Sequence, residues 1–274
     1  MDAAAIEAWF LASCHEELDA LKAGNVHRFS AGHGMEVAHF EAAAAAAAPR
    51  LCAAGARVGE RIEAAVEASV AATGLNTNLG ILLLCAPLAA AAERGGALRP
   101  ALQAVLDGLT QADAASTFRA ITRASPGGLG RAAEHDVAAP PTVTLREAMA
   151  AAAARDRIAR QYAGGFDDIF EIGLPRLAAV PPDARAEAVH LRFMAAFPDS
   201  HILRKFGPEV AGDVQDEAAR VEAAVPWHAS AEQRRAPLAA FDSALKSRGL
   251  NPGTSADLTV ASLFAGRLTG LISP

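Results

Sequence analysis

Alanine is the dominant apolar residue of this chain, and it recurs in uninterrupted runs over residues 42–48 and 150–154. Alanine has the highest helix propensity and allows helices to pack closely, whereas strands favour β-branched and aromatic side chains. Aromatic residues make up only 5% of the sequence, and no convincing alternation of valine, isoleucine or threonine with polar residues occurs. The sequence therefore predicts an all-α protein of about ten helices and argues against a sandwich or barrel.

Length and charge narrow the classes of protein further. The 274 residues, 52% of them hydrophobic, can bury a substantial core, and we expect a single domain over residues 1–274 because no linker divides them. Thirty-one acidic against 25 basic residues give a formal charge of −6, which provides no general field for nucleic acid. The N-terminus has no basic leader, and the longest apolar run is about a dozen residues against the roughly 20 that cross a bilayer. We expect a cytoplasmic protein without a nucleic-acid or membrane partner.

Three stretches of the chain give specific structural predictions. Residues 77–93 are the most apolar segment and predict a central helix, in which Pro87 should cause a kink near Leu83 because its ring removes a backbone donor. Residues 144–160 have the pattern of one helix that begins with a capping box. The longest irregular stretch lies between residues 125 and 141, and loops of that length are often functional.

The first polar cluster is a basic, glycine-containing loop that follows the first predicted helix. It concentrates positive charge in an otherwise acidic protein, and its glycines let the backbone approach a ligand closely. Carboxylates flank the loop and suit magnesium, which prefers oxygen ligands and usually bridges to phosphates. A solvated loop without a ligand is the alternative interpretation. The candidate residues of this cluster are Glu16, Lys22, Gly24, Asn25, His27, Arg28, His33 and Glu36.

The second cluster, Asn-Thr-Asn-Leu-Gly at residues 76–80, introduces the most apolar helix. An N-cap would explain one of its polar side chains. Three adjacent ones exceed that need, and a helix that enters the core delivers its free amides to the interior, where a phosphate or a base edge can use them. Asn76, Thr77 and Asn78 are therefore candidate ligand-binding residues.

The third cluster is the turn over residues 251–257, which leads into the last predicted helix. The positive start of that helix, with its free amides, can bind an anion. Asp257 lies in the first turn, where the helix dipole favours a carboxylate and lowers its proton affinity; good helix design explains it, and magnesium binding is the functional alternative. The ligand-binding candidates here are Asn251, Gly253, Thr254 and Ser255.

A fourth segment, residues 198–207, places the cations Arg204 and Lys205 one turn after Asp199. Two interpretations are equally consistent with the pattern. The cations contact a phosphate, or Asp199 is an N-cap and the basic residues form a solvated face.

The order and spacing of these clusters resemble those of triphosphoribosyl-dephospho-CoA synthases, the family that serves citrate lyase and malonate decarboxylase. Each motif is weak alone, but together they are fairly specific, and the resemblance runs from near residue 10 to the C-terminus. The residues that carry it are Glu16, 22–26, 33–36 with Phe40, 76–80, Asp199 with Arg204, Lys205 and Gly207, and 251–258.

The chain departs from the family pattern at three places. The usual Lys-Pro-Gly is Lys-Ala-Gly at residues 22–24, and the acidic pair after His33 is reduced to Glu36. The usual Asn-Thr-His-Lys-Gly is Asn-Thr-Asn-Leu-Gly at residues 76–80, so that one histidine and one lysine are absent. These substitutions are typical of a divergent branch of the kind found in methanogens and methylotrophs.

The resemblance implies an all-α enzyme that joins ATP to 3′-dephospho-CoA, releases adenine and leaves a triphosphoribosyl group on the acceptor ribose. Such a displacement needs a carboxylate near the positive ring, a base for the hydroxyl proton, and magnesium with basic groups on the triphosphate. We expect Lys22, Arg204 and Lys205 to bind phosphates, and the other candidates of the four clusters to contact the nucleotide or the phosphorylated substrate. His33, Glu36 and Asp257 are the expected catalytic residues, and Glu16, Glu36 and Asp257 are the expected Mg²⁺ ligands.

Two alternatives stay open on the sequence alone. The same fold would use ATP or a phosphoribosyl donor with another phosphorylated acceptor, in the biosynthesis of a C1-carrier coenzyme, an interpretation by analogy. The second alternative is a non-catalytic helical binding protein in which the clusters are only caps and turns. In each case a helix face of this alanine-rich chain offers a surface for a homodimer.

Overall fold

Helices are the only regular secondary structure in residues 1–32, 34–132 and 134–273, which the computed structural model describes. This confirms the all-α prediction. The fourteen α-helices are α1 (Ala3–Asp19), α2 (Val37–Leu51), α3 (Val58–Thr73), α4 (Leu79–Arg94), α5 (Leu98–Asp107), α6 (Gln111–Ala124), α7 (Leu145–Ala152), α8 (Arg157–Gly164), α9 (Leu174–Ala178), α10 (Arg185–Ala196), α11 (Ser200–Phe206), α12 (Pro208–Ala224), α13 (Ala231–Ser247) and α14 (Gly253–Leu268). A π-helical turn, Ile169–Gly173, precedes α9.

The helix count in the described residues exceeds the expected ten because local capping divides segments that appeared continuous. Residues 144–160 hold α7 and α8, since the Asp156 side chain accepts hydrogen bonds from two backbone amides and so begins a new helix, at 2.9 and 3.1 Å. The segment after His201 is divided at Gly207 and Pro208, because proline begins helices but does not continue them. The short helix α5 was not predicted.

Two helices, α4 and α14, are buried along almost their whole length. α14 packs against α1, α4 and α10, and the largest apolar cluster of the structure surrounds this group. A second apolar cluster joins α10, α11, α12 and α13. The prediction of a central apolar helix over residues 77–93 is confirmed by α4, and both buried helices begin at the same cavity, described below.

Pro87 lies inside α4 and has no N–H to donate to the carbonyl of Leu83 one turn earlier. Tyr162 of α8 supplies the missing donor: its hydroxyl donates to the Leu83 oxygen at 2.6 Å, and its side chain is fully buried. The hydrogen bond that proline removes from α4 is therefore replaced by one from a neighbouring helix.

We predict that Tyr162→Phe lowers the free energy of unfolding by about 1–3 kcal/mol, because the Leu83 carbonyl would stay buried without a partner. The ring volume is retained, so no cavity contributes to the loss. Urea denaturation followed by circular dichroism measures the effect. Ser247→Ala is the control, since it removes a hydroxyl-to-carbonyl bond at an exposed position. Equal stability of Tyr162→Phe and the parent chain would contradict the role assigned to this bond.

In the described part of the chain, no single helix is long and apolar enough to cross a membrane. Helices α4 and α5 meet the length and composition criterion only as a pair, and they are bent by 112° relative to each other.

Candidate active site

A cavity of about 560 Å³ gathers polar residues from distant parts of the sequence. Its walls come from the turn after α1, the starts of α4, α11 and α14, and the loop over residues 125–137. Helices α4, α6 and α7 add an apolar lining. The predicted site residues that line the cavity are Asn25, Asn76, Thr77, Asn78, Arg204, Lys205, Asn251, Gly253, Thr254 and Asp257.

The turn over residues 20–26 is held rigidly at the edge of this cavity. The Gly24 N–H donates to Asp242 Oδ1 at 2.8 Å, and Gly24 has a φ of +81°, which favours glycine. A Cβ at this position would lie only 2.8 Å from Pro252 and 2.9 Å from Leu245. Gly24 is therefore required by packing and does not itself line the cavity.

Lys22 lies behind the cavity wall and orders three side chains of the lining. Its buried ammonium donates to Glu17 and, at 3.2 Å, to Asn25 Oδ1, and Asn25 Nδ2 donates to Asn251 Oδ1 at 2.8 Å. Burial lowers the pKa of Lys22 and raises the pKa of Glu17, while their mutual attraction opposes both shifts. In this structure the lysine positions Glu17, Asn25 and Asn251 and does not reach the cavity directly.

Asp257 reaches across from α14 to the start of α4. A Cβ added to Gly80 would lie 2.0 Å from Asp257 Oδ2 and 2.7 Å from Ile158 Cδ1, so the carboxylate occupies the space that a side chain would need. Among the described residues, Asp257 has neither a hydrogen-bond nor an ion-pair partner. An unpartnered carboxylate that faces a cavity is a candidate ligand for a cation.

The electrostatic surroundings of Asp257 differ from those expected. Burial raises the pKa of Asp257 well above its usual range, and the nearby carboxylates of Asp199, Glu17 and Asp156 raise it further, with Lys22 the opposing charge. The expectation that the helix dipole lowers the proton affinity of Asp257 was therefore wrong. Burial and three neighbouring carboxylates outweigh the dipole, and a bound cation would relieve the accumulated negative charge.

The start of α4 carries polar groups that the described residues leave unpaired. Asn78 Oδ1 accepts a hydrogen bond from Ser69 at 2.7 Å, but its Nδ2 and the Thr77 hydroxyl are buried without a partner. The Leu79 N–H donates to Asn76 Oδ1 at 3.3 Å, and the next two amides of the helix have no acceptor. Buried unpaired donors are costly, and here they surround a cavity large enough for a ligand.

Cations line another part of the cavity. Arg204 of α11 donates to Asp156 Oδ2 at 3.3 Å and to the Gly127 carbonyl at 3.4 Å, which ties the 125–137 loop to α11. Lys205 beside it is exposed and has no ion-pair partner in the described part of the chain. Arg131 and Arg155 also line the cavity. This group is suited to anionic substrate groups.

The structure does not bring the three expected Mg²⁺ ligands together. Glu16 accepts a hydrogen bond from Arg267 at 2.6 Å, and Glu36 is exposed at the start of α2; neither lines the cavity. Adjacent residues of a helix differ by about 100° around its axis, which is why Glu17 and not Glu16 faces the cavity. Within residues 1–32, 34–132 and 134–273, no three His, Cys, Asp or Glu side chains form a metal-binding group.

Three further candidates lie away from the cavity, and one cannot be placed. Arg28 pairs at the surface with Asp19 and Glu41, and His27 is buried against Asp242. The Ser255 hydroxyl is buried and donates a hydrogen bond to the carboxylate of Asp199, the N-cap residue of α11. The expected base His33 lies outside the described residues.

The sequence interpretation missed several residues of the cavity. His201 lies at the start of α11, where its Nδ1 would be 3.1 Å from a Cβ on Gly253. The 125–137 loop contributes Arg131, and the irregular composition of that stretch was the one signal that could have found it. The remaining missed polar residues of the lining are Glu17, Ser125, Glu134, His135, Asp136, Arg155 and Asp156.

Comparisons with known proteins identify the family of the chain. Residues 3–273 match the family model CitG, which is described as ATP:dephospho-CoA triphosphoribosyl transferase. The match identifies an all-helical transferase. More particularly, the chain belongs to the CitG family of ATP:dephospho-CoA triphosphoribosyl transferases, which confirms the resemblance seen in the sequence.

A solved structure supports the same assignment. The fold is similar to that of a protein from Archaeoglobus fulgidus provisionally described as a triphosphoribosyl-dephospho-CoA synthase, with 27% sequence identity and a TM-score of 0.64. The alignment covers 85% of this chain and 99% of the archaeal one. A comparison with curated proteins gave no match.

Proposed function

We propose that the cavity is the active site in which the triphosphoribosyl group of ATP is transferred to a ribose hydroxyl of 3′-dephospho-CoA. The observation that carries the proposal is the meeting of the 76–80, 198–207 and 251–257 segments around the unpartnered Asp257. In this reaction the acceptor oxygen forms a bond to C1′ of the ATP ribose as the C1′–N9 bond breaks. Adenine leaves with the electron pair, and the hydroxyl proton passes to a base.

The triphosphate would lie between the start of α4 and the cations of α11. Two backbone amides at the start of α4 and the Asn78 side-chain amide, which have no acceptor among the described residues, are donors for phosphate oxygens, as helix starts generally are. Arg204 and Lys205 would neutralise the remaining charge. Lys22 acts indirectly, since it holds Asn25 and Asn251 in the lining.

Asp257 fits a magnesium ion that is shared with the substrate. Mg²⁺ is usually held by one or two carboxylates together with substrate phosphates, so this role does not require the three-residue metal group that the described residues lack. Bound there, the ion would neutralise negative charge on the triphosphate. The carboxylates of Asp156 and Glu17 line the same cavity and would favour a cation by their charge.

The apolar lining suits the adenine base, and two histidines are candidates for the proton. The residues of α4, α6 and α7 that would enclose the base are Ile81, Leu83, Phe118, Ile121 and Met149. His33 is the candidate base from the sequence, and His201 is a candidate from the cavity lining. A histidine near neutrality is effective in proton transfer because its usual pKa lies near physiological pH.

The test is the product formed from ATP, magnesium chloride and 3′-dephospho-CoA by the purified chain. Free adenine and a product carrying the added triphosphoribosyl mass are expected by liquid chromatography and mass spectrometry. Both should depend on the acceptor and vanish with EDTA. ADP or AMP in place of adenine would contradict the proposal. Adenine release only with a different phosphorylated acceptor would favour the C1-carrier alternative.

Three properties expected from the sequence stay predictions. They are a single catalytic domain over residues 1–274, a homodimer, and a cytoplasmic location. Analytical ultracentrifugation of the purified chain tests the second. The substrates expected on this proposal are a nucleotide and a phosphorylated small molecule, and the acidic net charge supports no nucleic-acid partner.

A further inference from the structure

One buried carboxylate, Asp199, joins the starts of two helices that reach the cavity. Its Oδ1 accepts hydrogen bonds from the backbone N–H groups of His201 at 2.8 Å and Ile202 at 3.3 Å, which caps α11. Its Oδ2 accepts from both the backbone N–H and the hydroxyl of Ser255 in α14, each at 2.8 Å. Asp199 is only 3% exposed.

The two helices joined in this way carry different parts of the proposed site. α11 presents His201, Arg204 and Lys205 to the cavity, and α14 presents Thr254 and Asp257. The neighbouring Ser200 hydroxyl accepts the backbone N–H of Arg157 at 2.8 Å, so the start of α8 is attached to the same point. The relative positions of the cations and of Asp257 therefore depend on this junction.

An ordinary N-cap does not explain the arrangement. Serine, threonine, asparagine and aspartate cap a single helix about equally well, and capping one helix needs only one acceptor oxygen. Asp199 uses both oxygens and receives four hydrogen bonds, which a carboxylate alone among these side chains can accept. Burying this charge is unfavourable, as the raised pKa of Asp199 shows, so the fold retains it at a cost to stability.

We infer that Asp199 is a positioning residue for triphosphoribosyl transfer, which fixes the spacing between the cations of α11 and the Asp257 carboxylate of α14. Asp199 is not among the residues that line the cavity, and it acts through the two helices. The inference rests on the proposed function, because it assigns the two helices to the two ends of one triphosphate.

The test uses two variants of the whole chain. Asp199→Asn keeps the size but has one acceptor oxygen, so it cannot serve both helices. Asp199→Ser keeps a cap for α11 and is too short to reach Ser255. Each is expected to lower kcat/KM for adenine release by about 10- to 100-fold, because small displacements of positioning groups have effects of this size. The loss should fall mainly on the KM for ATP.

A double-mutant cycle separates positioning from a merely structural role. In a Lys205→Ala background the fold loss caused by Asp199→Asn is expected to be at least about threefold smaller, because one of the positioned cations is gone. Equal losses in both backgrounds would overturn the inference. Asp2→Asn is the matched control, since Asp2 caps α1 at the surface with a 2.7 Å bond to the Ala5 N–H, and its activity should equal that of the parent chain.

The outcomes distinguish the inference from the proposed function. If the parent chain releases no adenine, the proposed function fails; if it does and Lys205→Ala and Asp257→Asn both retain full activity, the cavity is not the site. If they impair activity and Asp199→Asn does not, only the inference fails. If circular dichroism shows that both Asp199 variants are unfolded, Ser255→Ala replaces them, because it removes one of the four hydrogen bonds to Asp199. We then expect the KM for ATP to rise by about two- to threefold. An unchanged KM would overturn the inference.

Discussion

Asp257→Asn is expected to lower kcat for adenine release by about 100-fold or more, because removing one preorganised electrostatic group from an active site, such as an oxyanion-hole donor, costs about 10²–10³ in kcat. The substitution keeps the shape of the side chain and removes its charge. If Asp257 holds the cation on the triphosphate, the variant should also need more Mg²⁺ for half-maximal activity. Initial rates across a magnesium titration, with free adenine as the measured product, give both quantities.

Loss of folding is not the expected cause of this effect. Asp257 lies among Asp199, Glu17 and Asp156, so that removing its charge relieves repulsion between carboxylates. We therefore expect the thermal midpoint of Asp257→Asn to equal or exceed that of the parent chain, as is common when an active-site charge is removed. Asp107→Asn, at an exposed site paired with Arg146, is the control and should be fully active. Full activity of Asp257→Asn would remove the basis of the proposed site.

Gly80→Ala is the second substitution with a large expected effect. The added methyl group would lie 2.0 Å from Asp257 Oδ2 and 2.7 Å from Ile158 Cδ1, which is closer than real contacts allow, so the carboxylate must move. We expect kcat/KM to fall by about 10- to 100-fold, since displacements near 1 Å have such effects. Alanine is a better helix former than glycine, so the helix itself should not be weakened.

Gly212→Ala provides a closely matched control for this substitution. Gly212 lies inside α12, and a Cβ there meets nothing within 4 Å. The change should leave activity unaffected and raise the free energy of unfolding by up to about 1 kcal/mol through helix propensity. If Gly80→Ala were as active as Gly212→Ala, the close approach of Asp257 to α4 would have no part in the reaction.

The helices were predictable from the sequence because the relevant physics is local. Alanine content and capping residues predicted an all-α fold, the apolar run over residues 77–93 predicted that α4 is central, and the structure confirms both. Most candidates of the 76–80 and 251–257 segments, though not Ser255, line the cavity as candidates chosen from the sequence, because polar side chains at the start of an apolar helix are visible there. Helix boundaries were less predictable, since the cap formed by Asp156 competes with continuation of the helix.

The composition of the site depended on tertiary structure that the sequence does not display. Glu16 and Glu17 are adjacent residues of the same type, and the sequence does not show which of them faces the cavity. Only Glu17 does, because α1 packs with the face that carries Glu17 toward the interior. Lys22 lies in a basic loop that we expected to bind phosphate, but its ammonium is buried and donates hydrogen bonds to Glu17 and Asn25. His201 lines the cavity because α11 packs against α14, and no local sequence pattern predicts that contact.

The start of α4 differs from the other helix starts at the cavity in a way that bears on stability. Asp156 bonds the first amides of α8, and Asp199 bonds those of α11 and α14, but in the described residues the second and third amides of α4 have no acceptor. Within the described residues, these two unpaired amides of the central helix are a cost in folding free energy. On the proposed function, the triphosphate would accept hydrogen bonds from these amides and cap the central helix, so we expect added nucleotide to raise the free energy of unfolding.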